Sequence, residues 1–206
     1  MNDISSVMRS MALLLVLLNP FLVVVYLIDV MEKYDKRRFT FVLVRAGVIA
    51  TLVFCVFAIL GDYIFANVMQ ANFASFQIFG GIVFLLIALQ FVFRGPRAIE
   101  ILRGESEHVA GAIAMPILIG PGTISVSVLI GEKHSPLTAC AVVVVALGIS
   151  IATILILKRI HDFVRPRRES VIERYIEVTG RITAMFAGTI SVEMIIRGIR
   201  TWAGKL

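Results

Sequence analysis

Long runs without a single charged residue alternate along this chain with short segments that hold most of its Lys, Arg, Asp and Glu. The uncharged runs are 10–28, 46–61, 63–93, 109–131 and 134–157. Apolar runs of this length without a charge are the pattern of a helix with lipid or protein around it. A helix needs about 20 such residues, at ~1.5 Å each, to cross the hydrocarbon of a bilayer. A sixth segment, 175–199, is apolar but interrupted by Glu177, Arg181, Glu193 and Arg197. The pattern predicts an all-α integral membrane protein of six transmembrane helices, forming one membrane domain over 1–206. The first run is too long for a signal peptide and no small-residue cleavage motif follows it, so it is counted as the first helix.

Composition agrees. The chain is 59% hydrophobic and 17% charged, with a mean hydropathy of +0.94, whereas soluble domains are about 25% charged. A net charge of +6 suggests nucleic acid until its distribution is considered. Thirteen basic residues fall in the connections after helices one, three and five, and five fall on the other side. By the positive-inside rule the basic loops face the cytoplasm and its anionic lipid, and both termini lie outside. The charge distribution therefore points to membrane lipid as a partner and not to nucleic acid; a small solute is expected from the broken helices described below. The oligomeric state is not read from the sequence.

The chain also matches itself. A shift of 101 residues lays Pro20 on Pro121, a shift of 100 lays Gly80 on Gly180, and a shift of 103 lays Arg94-Gly95 on Arg197-Gly198. These matches divide the domain into repeats 1–103 and 104–206, each of three helices. Three is odd, so the second repeat enters the membrane upside down, which is a building plan of secondary transporters with a substrate site at the repeat interface.

Asn19-Pro20 and Gly120-Pro121-Gly122 sit near the middle of helices one and four. Proline removes a backbone donor and clashes with the carbonyl four residues earlier. Asn or Gly followed by Pro reads as a cap and first residue of a new helix. Helices one and four are accordingly expected to be discontinuous near the midplane, with plain proline kinks as the alternative. Bare backbone at that depth must face protein or a water-filled cavity, and half-helix N-termini there attract an anionic group. Asn19, Pro20, Gly120, Pro121, Gly122 and Thr123, with the hydroxyls of Ser125 and Ser127, form the candidate substrate site.

Three charges inside the spans are candidates for coupling or ion pairing. Arg45 and Arg181 lie near the cytoplasmic ends of helices two and six, where they either snorkel or serve the substrate path. Glu193 stands four residues before Arg197 and is a candidate for proton coupling or for a structural ion pair. Asp29 and Asp62 fall at helix ends and are expected to be solvated. Cys55 and Cys140 read as packing thiols. Gly180, Ala184 and Gly188 form a small-residue stripe, and Gly80-Gly81 reads the same way. His108, His134 and His161 lie in or beside loops and no Asp reaches a helix centre, so neither a metal site nor an aspartyl dyad is expected. A phosphate-binding loop is absent too. No cofactor and no enzymatic activity are expected.

The Asn-Pro of helix one, FGGIVFLLIAL in helix three, PILIGPGTI in helix four and TGRITAMFAGTISVEMIIRGI in helix six together resemble the MarC family, in order and over essentially the whole chain. The resemblance implies a six-helix membrane protein, with some members transporting small neutral amino acids in apparent coupling to protons. It maps Asn19, Pro20, Gly120, Pro121, Gly122 and Thr123 onto the family's two signature motifs. Many members continue the first motif as Pro-Ile-Gly, where this chain has Pro20-Phe21-Leu22. The function expected is a secondary transporter of small neutral amino acids or similar small polar solutes in the cell membrane, working by alternating access, with or without coupling to protons. The alternative is a channel or a non-transporting membrane assembly protein.

Overall fold

A computed structural model of the chain describes residues 2–27, 30–31, 34–68, 72–94, 118–164 and 169–204. The first apolar run does not make one helix. Helix α1 (Asn2–Leu18) stops at Asn19 and α2 (Pro20–Tyr26) starts at the next residue. Asn19 has φ 38°, in the left-handed region that asparagine enters more readily than most residues. Its N–H still reaches Leu15 O at 3.0 Å while its own carbonyl receives Val23 N–H at 3.0 Å. One residue thus closes α1 and opens α2.

Helix α3 (Lys36–Tyr63) begins well before its uncharged run, because Asp35 caps it by accepting the Arg37 N–H at 3.2 Å. It passes into a π-helical turn, Ile64–Val68. Helices α4 (Phe73–Arg94), α5 (Pro121–Lys133), α6 (Pro136–Val164) and α7 (Glu169–Ala203) follow, and no strand occurs among the described residues.

The all-helical class expected from the sequence is present. Of the six expected spans, the first and fourth of them expected to be broken, three are clear: α3, α4 and α6 each hold a stretch long and apolar enough to cross a membrane. The physical reasons differ for the others. The break at Asn19 divides the first. Helix α5 has 13 residues, about 20 Å at ~1.5 Å per residue, roughly two-thirds of a hydrocarbon core. Helix α7 has 35 residues, but only eleven uncharged ones separate Arg181 from Glu193. What precedes Leu118 in the fourth segment lies outside the described residues, as do Asp29 and His108. Of Asp62, Glu177 and Gly180 only the backbone is described.

One side of α3 presents Phe41, Val44, Val48, Leu52, Val56 and Ile59 to the surroundings. A contiguous apolar face of that length suits lipid and not water. The opposite face enters a core built from α1, α2, α3, α5 and α6, with Leu14, Leu27, Phe39, Phe54, Leu118 and Ile154 fully buried. The buried positions of α3 are Phe39, Leu43, Ala46, Gly47, Ala50, Phe54, Ala58 and Gly61. Each recurs one hundred residues on as a buried position of α6: Ala139, Val143, Ala146, Leu147, Ser150, Ile154, Lys158 and His161. Cys55 on α3 and Cys140 on α6 are both free, half-buried thiols.

Among the described residues, α4 and α7 contribute no buried residue to that core. They pack instead along one another, more extensively than any other pair of described elements. Gly81 makes this possible: a Cβ there would stand 2.8 Å from Ser191 O and 3.1 Å from Ile195 N, on the backbone of α7. The pair meets the five-helix core where Gly80 and Phe84 of α4 abut Pro121 and Gly120 at the start of α5.

Candidate functional site

The start of α5 is the second break anticipated by the sequence. Gly120 is its N-cap in an extended conformation (φ −109°, ψ 163°), and Pro121 is its first residue. The sequence grouped Thr123, Ser125 and Ser127 as three available hydroxyls, and the structure separates them. Thr123, 2% exposed, accepts the Gly120 N–H at 2.9 Å and has its own proton directed between Gly120 O at 2.9 Å and Leu118 O at 3.1 Å. It therefore bonds backbone groups at the break, where the chain departs from regular helix. Ser127 donates to Thr123 O at 2.8 Å. Ser125 is 1% exposed, and its hydroxyl oxygen has no partner. Such a group is costly inside a protein unless something else occupies it.

Ser125 borders a cavity of about 340 Å³ between the five-helix core and the α4–α7 pair. Leu13 and Leu17 of α1, Val126 and Leu129 of α5, and Ile190 and Met194 of α7 give it an apolar wall. Gln77, Ser125, Glu193 and Arg197 are its main polar groups. Glu193 Oε1 and Arg197 Nε are 2.7 Å apart, with about half of each side chain accessible. Thr189 also reaches the wall, but its hydroxyl donates to Met185 O at 3.0 Å.

The other sequence candidates lie elsewhere. Asn19, Pro20, Gly120, Pro121, Gly122 and Thr123 form the two breaks and are not part of the cavity wall. Arg45 on α3 and Arg181 on α7 are exposed, away from the cavity. Among the described residues no group of His, Cys, Asp or Glu is arranged to hold a metal. Sequence reasoning missed Gln77, which is 6% exposed on the cavity wall. The signal was a primary amide in an otherwise apolar span, and a search for charges passes over it.

Comparison with known proteins finds membrane proteins as relatives. A family model described as MarC family integral membrane protein matches residues 4–203. A UPF0056 membrane protein of Methanocaldococcus jannaschii is 30% identical over 202 residues, covering 89% of this chain and 91% of the relative. The UPF0056 inner membrane protein YhgN of Escherichia coli K12 is 26% identical over 204 residues and 98% of each chain. A UPF0056 membrane protein of Aquifex aeolicus is 27% identical over 198 residues, 91% of this chain and 89% of the relative. No solved structure matches the chain.

Proposed function

The chain belongs to the MarC family of integral membrane proteins, and from that premise we propose that it is a secondary transporter carrying small neutral amino acids or similar small polar solutes across the cell membrane. Solute passes by alternating access and leaves chemically unchanged. The observation that carries this reading is the position of the cavity. It lies on the boundary between two separately packed bodies and holds a buried hydroxyl without a partner. A site on such a boundary opens to one side or the other when one body rocks against its neighbour.

The same reading takes the fold as two inverted repeats of three helices, with both termini outside. The coincidence of buried positions in α3 and α6 supports it. So does an exchange in the packing: α1 lies on α6 as α5 lies on α3, and α2 touches α7 as α5 touches α4. The second helix of each half holds the broken helix of the other.

The test is uptake of radiolabelled glycine and alanine into proteoliposomes containing the purified full chain, with and without an inward proton gradient. Saturable uptake is expected, and dependence on the gradient measures proton coupling. Folded protein that gives no uptake under any gradient overturns the reading. Ionic conductance without saturation or competition by solute assigns a channel instead.

A further inference from the structure

The cavity as a solute site does not by itself say what the solute must carry; its polar side chains do. Glu193 and Arg197 stand one turn apart on α7, bonded through Nε of the arginine. That geometry leaves both Nη groups of Arg197 and the second carboxylate oxygen of Glu193 available. An i,i+4 pair with this accessibility contributes little to helix stability, so packing of the helix does not account for it. On the same cavity wall, the Ser125 hydroxyl of α5 is buried without a partner, and α4 adds the buried amide of Gln77.

We propose that Glu193 and Arg197 form a recognition pair for a zwitterion, with Arg197 taking the carboxylate and Glu193 the ammonium. Ser125 and Gln77, on the same cavity, hydrogen-bond the same head group. This inference rests on the reading of the cavity as the solute site. The chemistry selects both charges together. A simple carboxylate meets Arg197 but is repelled by Glu193, and a simple amine meets Glu193 but is repelled by Arg197. A ligand with both groups on one carbon satisfies both and leaves the protein's own pair intact. The two Nη groups of a guanidinium match a carboxylate in a bidentate fork. The apolar remainder of the wall has no charge for a second ionised group, which excludes acidic and basic side chains.

The experiment measures binding of alanine, propionate and ethylamine to the full chain in lipid nanodiscs by calorimetry. The variants are Arg197→Gln, Arg197→Lys, and the exchange of Glu193→Arg with Arg197→Glu. The exchanged protein keeps an ion pair at the same spacing, so a pair with only a structural role keeps its binding. Recognition predicts that the exchange and Arg197→Gln weaken alanine by at least ~10-fold, that Arg197→Lys recovers part of the loss, and that wild-type protein binds propionate and ethylamine at least ~10-fold more weakly than alanine. Alanine bound equally by wild type and exchanged protein overturns the recognition pair alone, as does ethylamine or propionate binding as tightly as alanine. Folded wild-type protein that binds no alanine overturns the solute-site reading, and the inference falls with it.

Discussion

The two half-helices that follow the breaks end against different kinds of neighbour. Beyond α2, the carbonyl of Met31 receives a hydrogen bond of 2.6 Å from Lys158 Nζ of α6. The lysine is 4% exposed, also binds Asp162 at 2.6 Å, and lies 5.8 Å from the centroid of the Phe39 ring. At the far end of α5, Gly131 presses on the backbone of α3, where a Cβ would overlap the carbonyl oxygen of Ala58. Met31 and Gly131 are one hundred residues apart, and so are Ala58 and Lys158. The same docking problem is solved once by charge and once by the absence of a side chain. A contact made by shape resists any added volume and is indifferent to water. A contact made by a polar group tolerates shape changes, but it fails when its donor is removed.

That contrast orders the expected damage. Gly131→Leu has nowhere to place its side chain, and the obstacle is backbone, which cannot rotate away. The cost is expected at or above ~3 kcal/mol, the upper range for overpacking. The readout is size-exclusion chromatography in detergent, where the variant should run as aggregate. A monodisperse variant with unchanged melting temperature breaks the comparison, because the close approach of α3 and α5 then does not exist.

Lys158→Met keeps the length and apolar stem of the side chain while deleting the ammonium. The Met31 carbonyl loses its partner, and a buried acceptor left unpaired costs about 1–3 kcal/mol. Asp162, with a side chain 41% exposed, turns to solvent and adds little. Thermal denaturation should therefore show a folded protein with a lowered melting temperature, clearly less damaged than Gly131→Leu. Equal damage from the two substitutions removes the distinction between charge and shape.

Much of this architecture was legible in the sequence because it follows from local rules. Proline after Asn19 and after Gly120 must interrupt a helix, and uncharged runs of sufficient length gave α3, α4 and α6. Local rules end where tertiary packing begins. The start of α3 at Lys36 depends on Asp35 as a cap outside the apolar run. The turn of 64–68 divides what reads as one uncharged stretch. Thr123, Ser125 and Ser127 are equivalent as letters, and only their rotations about the α5 axis and the carbonyls within reach distinguish them. Gln77 acquires meaning from the three other helices that bring Leu17, Ser125 and Glu193 to the same cavity.

Thr123 and Ser125 carry the contrast to its smallest scale, between a polar group committed to the fold and one left over. The Thr123 hydroxyl does for the Gly120 N–H what Lys158 does for the Met31 carbonyl. Thr123→Val, nearly isosteric, should cost about 1–3 kcal/mol by stranding that donor. Ser125 supports nothing in the fold, so Ser125→Ala should move the melting temperature by no more than ~0.5 kcal/mol of stability, in either direction. Its effect belongs in transport: with a donor and acceptor removed from the cavity wall, alanine uptake should fall by roughly 10-fold, as expected for one hydrogen bond to a charged group. A stable variant with impaired uptake separates the site from the scaffold. If Ser125→Ala is instead destabilised as much as Thr123→Val, its hydroxyl has a structural partner, and the cavity loses the buried group that marks it as a binding site.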